Sequence, residues 1–175
     1  MDDDRVLDAA LEVFLKYGYR RATMADIARG AGVSRPTLYV RYPNKQAAFR
    51  GVVVRGTAEL LREVEAVLEG GQSLPEKLQG VFEIWTVRPF ALAARSPAAE
   101  ELMAAQFDFV NDVFESARER LIRRIARVIR QTKRPRPEAQ ARVMVAAAFG
   151  FKHMAHNPRQ LRRLVADLVA VVVPE

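Results

Sequence analysis

The sequence predicts an all-α protein, with a domain of short helices joined by a long helix to a helical bundle. Three observations carry that reading. Apolar residues recur at three- and four-residue spacing along most of the 175-residue chain, and no stretch alternates with the period of a strand. Gly18, Pro43, Gly70, Gly71 and Pro89 punctuate that pattern as helix ends do. There is no cysteine, so a disulfide framework, a thiolate zinc site and a thiol nucleophile are all excluded.

The elements follow in order. Val6, Leu7, Ala10, Leu11 and Phe14 share one helix face, and Gly18, tolerant of the left-handed conformation, ends that helix. Thr23 is a suitable N-cap for a second helix over residues 24 to 29, with Asp26 in its first turn. Ser34 caps a third over 35–40, and Pro36 fits its first turn because an amide proton there lacks an intrahelical partner anyway. Pro43 marks the exit. A long helix runs over 44–68 without an internal proline and stops at Gly70-Gly71. Leu74, Leu78, Val81, Phe82 and Trp85 then form a stripe closed by Pro89, and residues 90–94 suit a short helix. Residues 97–131 stay helical with a break near Gln106, and 133–137 form a stiff proline connector. Residues 138–155 are helical and apolar on nearly every side. Asn157-Pro158 opens a last helix with Leu161, Leu164, Val165, Leu168 and Val172 on one face. The predicted division is at residue 50, into domains 1–50 and 51–175. The longest apolar stretches, 143–149 and 164–173, are too short to span a bilayer. The acidic start Met1-Asp2-Asp3-Asp4 is the opposite of a signal peptide's basic start. A soluble, cytoplasmic chain is expected.

Charge is unevenly spread. The net charge is +7, yet residues 16–50 alone carry eight bases and one acid, and 118–136 carry nine bases and one acid. The rest of the chain is therefore strongly acidic. A basic segment on an acidic chain suits a polyanion, although a solvated face is the plainer explanation of any charge run. For 118–136 the plainer explanation is preferred. Leu121, Ile122, Ile125, Val128 and Ile129 make a buried stripe there, and Arg120, Arg123, Arg124, Arg127 and Arg130 coat the other side.

Residues 24–38 bring small residues and charge together. Ala28 is small where two steeply crossing helices touch, and four residues on Gly32 can take the positive φ of a tight turn. Ile27, Ala31, Val33 and Leu38 take the inward positions. This is the pattern of a helix-turn-helix, with an ordinary αα-hairpin as the alternative. A helix capped by Ser34 also points its first amides outward, where a phosphate can accept from them.

The runs Thr23-Met24-Ala25-Asp26-Ile27-Ala28, Ala31-Gly32-Val33-Ser34, Thr37-Leu38-Tyr39, Tyr42-Pro43-Asn44-Lys45 and Ala48-Phe49 occur in that order. Together they resemble the N-terminal domain of tetracycline-repressor-like (TetR family) regulators. Arg41, Tyr42, Gln46 and Ala48 depart from the residues usual there (His, Phe, Glu and Leu). The resemblance implies a DNA contact set. Arg35, Pro36 and Thr37 stand on the first turn of the recognition helix, where side chains reach base edges. Tyr39 and Lys45 match phosphate-holding positions, and Thr23 matches a phosphate-binding cap that is equally a plain N-cap. Ser34 caps the helix whose amides face a phosphate, and Arg35 suits a guanine or a phosphate. Tyr42 accompanies them, though its ring suits packing with a polar tip.

For the rest of the chain the resemblance implies a regulatory bundle. The last two helices form a four-helix dimer interface, with Val145, Phe149, Leu161, Leu164 and Leu168 as candidates; a central helix of a monomeric bundle is the alternative. An effector pocket draws on Phe82, Trp85, Met103, Phe107, Phe114, Met144 and His153, each better explained by core packing than by a ligand, and favours an apolar or aromatic small molecule. His153 and His156 have no neighbouring carboxylate in sequence, so no metal site is expected. The expected function is a homodimeric regulator, a repressor that binds an inverted-repeat operator in double-stranded DNA and is released by a small-molecule effector, with no cofactor and no membrane. The alternative is a ligand-independent DNA-binding or nucleoid protein using the same motif. An enzyme on a helical scaffold has little to work with, lacking a catalytic motif or a phosphate-binding glycine loop.

Overall fold

The computed structural model describes residues 3–95, 98, 101 and 107–174, and among these all regular structure is helical. The helices are α1 (Asp3–Arg21), α2 (Met24–Ala31), α3 (Arg35–Arg41), α4 (Lys45–Glu69), α5 (Leu74–Phe82), α6 (Arg88–Ala93), α7 (Asn111–Gln131), α8 (Pro137–Met154) and α9 (Pro158–Val172). A π turn, Glu83–Val87, follows α5, and a 3-10 turn, Asp108–Val110, precedes α7. The break expected near Gln106 lies outside the described residues.

The chain forms two compact units. The first comprises Met1–Thr57 with Leu92–Val113, the second Ala58–Ala91 with Phe114–Glu175. The sequence reading places everything past residue 50 in one domain, whereas packing gathers part of that stretch with the N-terminal helices. The reason is an aromatic cluster. Phe107 lies 4.5 Å from Tyr19 and 5.2 Å from Phe49 between ring centroids, and Phe14 meets Phe49 edge-on at 5.1 Å. Arg50 fixes the same segment by donating to the Phe109 carbonyl at 2.8 Å and to both Asp112 carboxylate oxygens at 2.6 Å.

Within the first unit Val6, Ala10, Phe14, Ile27, Ala31, Leu38 and Phe49 make the core. Gly18 interrupts α1 at φ 76° and ψ 163°, as expected of a glycine placed to end it. The second unit closes around α7, whose Leu121, Ile122, Ile125, Val128 and Ile129 pack with Leu61, Val64, Leu78, Phe82, Met144 and Val165. Several arginines of α7 are neutralised from the side: Arg124 Nε donates to Glu65 at 2.9 Å, Arg127 reaches the same carboxylate, and Arg142 of α8 pairs with Glu119 at 2.9 Å.

Pro89 does not close a helix. It is the second residue of α6, just past the π turn, where the Arg88 amide donates back to the Glu83 carbonyl. The wide turn leaves room for a residue without an N–H, and buried Ile84, Thr86 and Val87 hold it in place.

Candidate nucleic-acid interface

The site is built by two caps and one turn. Thr23 accepts from the Asp26 amide at 3.2 Å and donates its hydroxyl to the Asp26 carboxylate at 2.5 Å, closing the start of α2. That hydroxyl bond, helped by the charge of Arg29, holds the Asp26 carboxyl below the usual carboxylate range. Gly32 ends α2 at φ 65° and ψ 34°, its amide reaching the Ala28 and Arg29 carbonyls. Only a residue at ease in the left-handed region turns the chain there, and the turn sets α3 across α2. Ser34 then caps α3, accepting from the Thr37 amide at 3.2 Å and sharing a 2.7 Å bond with the Thr37 hydroxyl.

One side of α3 is anchored and the other is bare. Leu38 is fully buried, while Arg35, Pro36 and Thr37 are exposed and Tyr39 is half-exposed. Arg35 is exposed at the start of α3, its charge acting on Asp26 only through space. Val40 is 89% exposed, the barest large apolar side chain in the described chain. The sequence reading passed over it, although helical register from inward Leu38 already turns it outward.

Two predicted contact residues have other occupations. Lys45 donates to the carbonyls of Tyr19 at 2.8 Å, Arg20 at 3.1 Å and Ala22 at 3.0 Å. An ammonium has three protons and all three are taken, so Lys45 closes the end of α1 rather than offering a free charge to a phosphate. Tyr42 is buried at 7% exposure and donates its hydroxyl to Asp3 at 2.9 Å. Burial, then the bond to Asp3, pushes its phenol up to about 12. Arg41 holds the same carboxylate by two bonds of 2.8 and 3.0 Å. Tyr42 is a core residue, not a surface contact.

These pairings also lower the field that the sequence suggests. Asp3 and Asp112 come from outside residues 16–50 to neutralise Arg41 and Arg50, and Asp26 takes Arg29 at 3.2 Å. Among the described residues Lys16, Arg20, Arg21 and Arg35 form no side-chain ion pair within 4 Å.

A short, capped, outward-facing helix set across its predecessor by a left-handed glycine defines a helix-turn-helix protein. Residues 6–52 match the family described as Bacterial regulatory proteins, tetR family. The helix-turn-helix of this chain is therefore of the TetR type. It is 36% identical over 96 residues to the uncharacterized HTH-type transcriptional regulator Rv2250c of Mycobacterium tuberculosis, covering 51% of each protein. The chain spans about half the length of the curated relatives it matches first. Its fold resembles a transcriptional regulator from Cytophaga hutchinsonii, with TM-score 0.81 and 19% identity over 97% of this chain and 95% of that one. It also resembles SmeT of Stenotrophomonas maltophilia, solved as a complex with triclosan, with TM-score 0.66 and 20% identity over 97% and 90% of the two chains. The fold and the relatives are those of regulators, not enzymes.

The candidate effector-pocket residues are spread over both units. Phe82 and Met144 are fully buried in the second unit's core, with Trp85 packed partly against it. Phe107 belongs to the aromatic cluster of the first unit. Phe114 is 46% exposed, His153 is exposed and packs edge-on against Phe149, and Met103 lies outside the described residues. The interface candidates divide similarly. Val145 and Leu161 are buried within the chain itself, Phe149 is exposed, and Leu164 and Leu168 are half-buried.

Proposed function

We propose that this chain represses transcription in the cytoplasm as a homodimer bound to an inverted-repeat operator, and that a small molecule releases it. The observation that carries the reading is the bare outer face of α3, with Arg35, Pro36, Thr37 and Tyr39 outward and Leu38 locked inward. Side chains so placed on a recognition helix reach base edges in the major groove. Lys16, Arg20 and Arg21 supply attraction to phosphates that is independent of sequence.

The dimer is supported by apolar surface on the last two helices. Val143, Phe149 and Met154 of α8 and Val171 of α9 are each about half exposed or more, beside half-buried Leu164 and Leu168. Nothing lies within 4 Å of where a Cβ on Gly150 would sit, so a second helix can approach that backbone closely. Exposed apolar side chains gathered on two successive helices suit a helix-to-helix interface between copies. Two copies related by a twofold axis then require an inverted repeat.

Release by an effector is supported by the likeness to SmeT, whose solved complex contains triclosan. The effector must bind the DNA-incompetent state more tightly, since only that difference shifts the equilibrium. Selection from a random duplex pool tests the reading: an enriched inverted repeat is expected, and an enriched single half-site contradicts the dimer. Quenching of Trp85, the single tryptophan, tests release. A quenching compound must weaken operator binding by the factor by which operator weakens the compound, and quenching without that coupling contradicts an effector role.

A further inference from the structure

We infer that Val40 is a specificity-determining residue that reads thymine through its C5-methyl group; this rests on the DNA-binding reading above. Helical register puts it there. At about 100° per residue, Val40 lies about 200° round the helix from Leu38 and next to Pro36, and Leu38 is the buried anchor of α3. The centre of the outward face is therefore Pro36 and Val40, with Thr37 beside them.

Neither packing nor helix stability accounts for a valine at this place. At 89% exposure its isopropyl group gains almost no burial. β-branched residues are also poor helix formers compared with the lysine, glutamate or alanine that usually fill exposed positions. A lone exposed valine is ordinary on a protein surface, but here it occupies the middle of the reading face.

The chemistry around it selects the base. Helix α3 contains no Asn, Gln, Asp or Glu, so it has no carboxamide to pair with adenine and no carboxylate to accept from cytosine. Its polar reader is Arg35, suited to guanine. The Thr37 hydroxyl is already engaged by Ser34. What remains at the centre is apolar surface, and the only apolar group a base pair shows in the major groove is the thymine methyl. Exposed Arg35, at the start of α3, fits an anionic duplex rather than an apolar protein partner.

The test replaces each operator thymine in turn by deoxyuridine, which removes only the methyl, and titrates intact wild-type and Val40→Ala protein by fluorescence anisotropy. Wild type should lose about fourfold in affinity at one thymine per half-site, the worth of one buried methyl. Val40→Ala should melt at or slightly above the wild-type temperature and show no penalty at that thymine. An unchanged penalty in Val40→Ala, or no sensitive thymine in wild type, overturns the inference and leaves the regulator reading standing. A random pool that yields no enriched sequence overturns the regulator reading, and this inference with it.

Discussion

Lys45 and Tyr42 show how a residue that matches a contact motif can be consumed by its own fold. Lys45 closes the end of α1 with three hydrogen bonds. Lys45→Met, which keeps the stem and removes the donors, should lower stability by about 2 kcal/mol, the scale of bonds made by a charged group. It should leave the slope of log affinity against log salt unchanged. A slope reduced by about one unit with unaltered melting would instead restore the phosphate role. Tyr42 gives a pH signature. Its phenol stands at about 12 in the folded chain against an ordinary 10.0. Below about pH 10 both states keep the proton; between there and about pH 12 only the unfolded chain releases it. Stability should therefore fall as pH rises through that window, and Tyr42→Phe should flatten the fall. An alkaline melting series on the two proteins checks this, and identical profiles would sink it.

At the scale of elements, local chemistry was legible and long-range packing was not. The caps at Thr23, Ser34 and Asn157 and the turn at Gly32 depend on groups within four residues, so the sequence announces them. Gly32→Ala tests the turn. At φ 65° an alanine costs roughly 1–2 kcal/mol, while its Cβ meets only the movable end of Arg5. The variant should melt lower by that amount and bind operator more weakly even where it is fully folded. Unchanged binding would show that the turn does not set α3. The π turn before Pro89 and the capture of Phe107 by Tyr19 and Phe49 were not legible, because each is decided by residues distant in the chain. The charge of residues 16–50 misled for the same reason: Asp3 and Asp112 lie outside the segment they neutralise. Register nonetheless recovered the inward positions of the motif, since a 3.6-residue period assigns faces without knowing what covers them.

For the whole molecule, the account stands on two copies presenting two α3 helices to one duplex. Gly150→Leu tests the assembly apart from the fold. A Cβ there meets nothing within 4 Å, and leucine is a better helix former than glycine by roughly 0.8 kcal/mol. Sedimentation should find a folded monomer with weakened operator binding, and a folded dimer of wild-type affinity would place the interface elsewhere. The most direct measurement of the central claim is a salt titration of binding to the selected duplex beside a scrambled duplex of the same composition. The account predicts that log affinity falls linearly with log salt on both. The selected duplex should hold an advantage of at least about a thousandfold, which Arg35→Ala reduces. Equal affinity for the two duplexes at every salt concentration would contradict it.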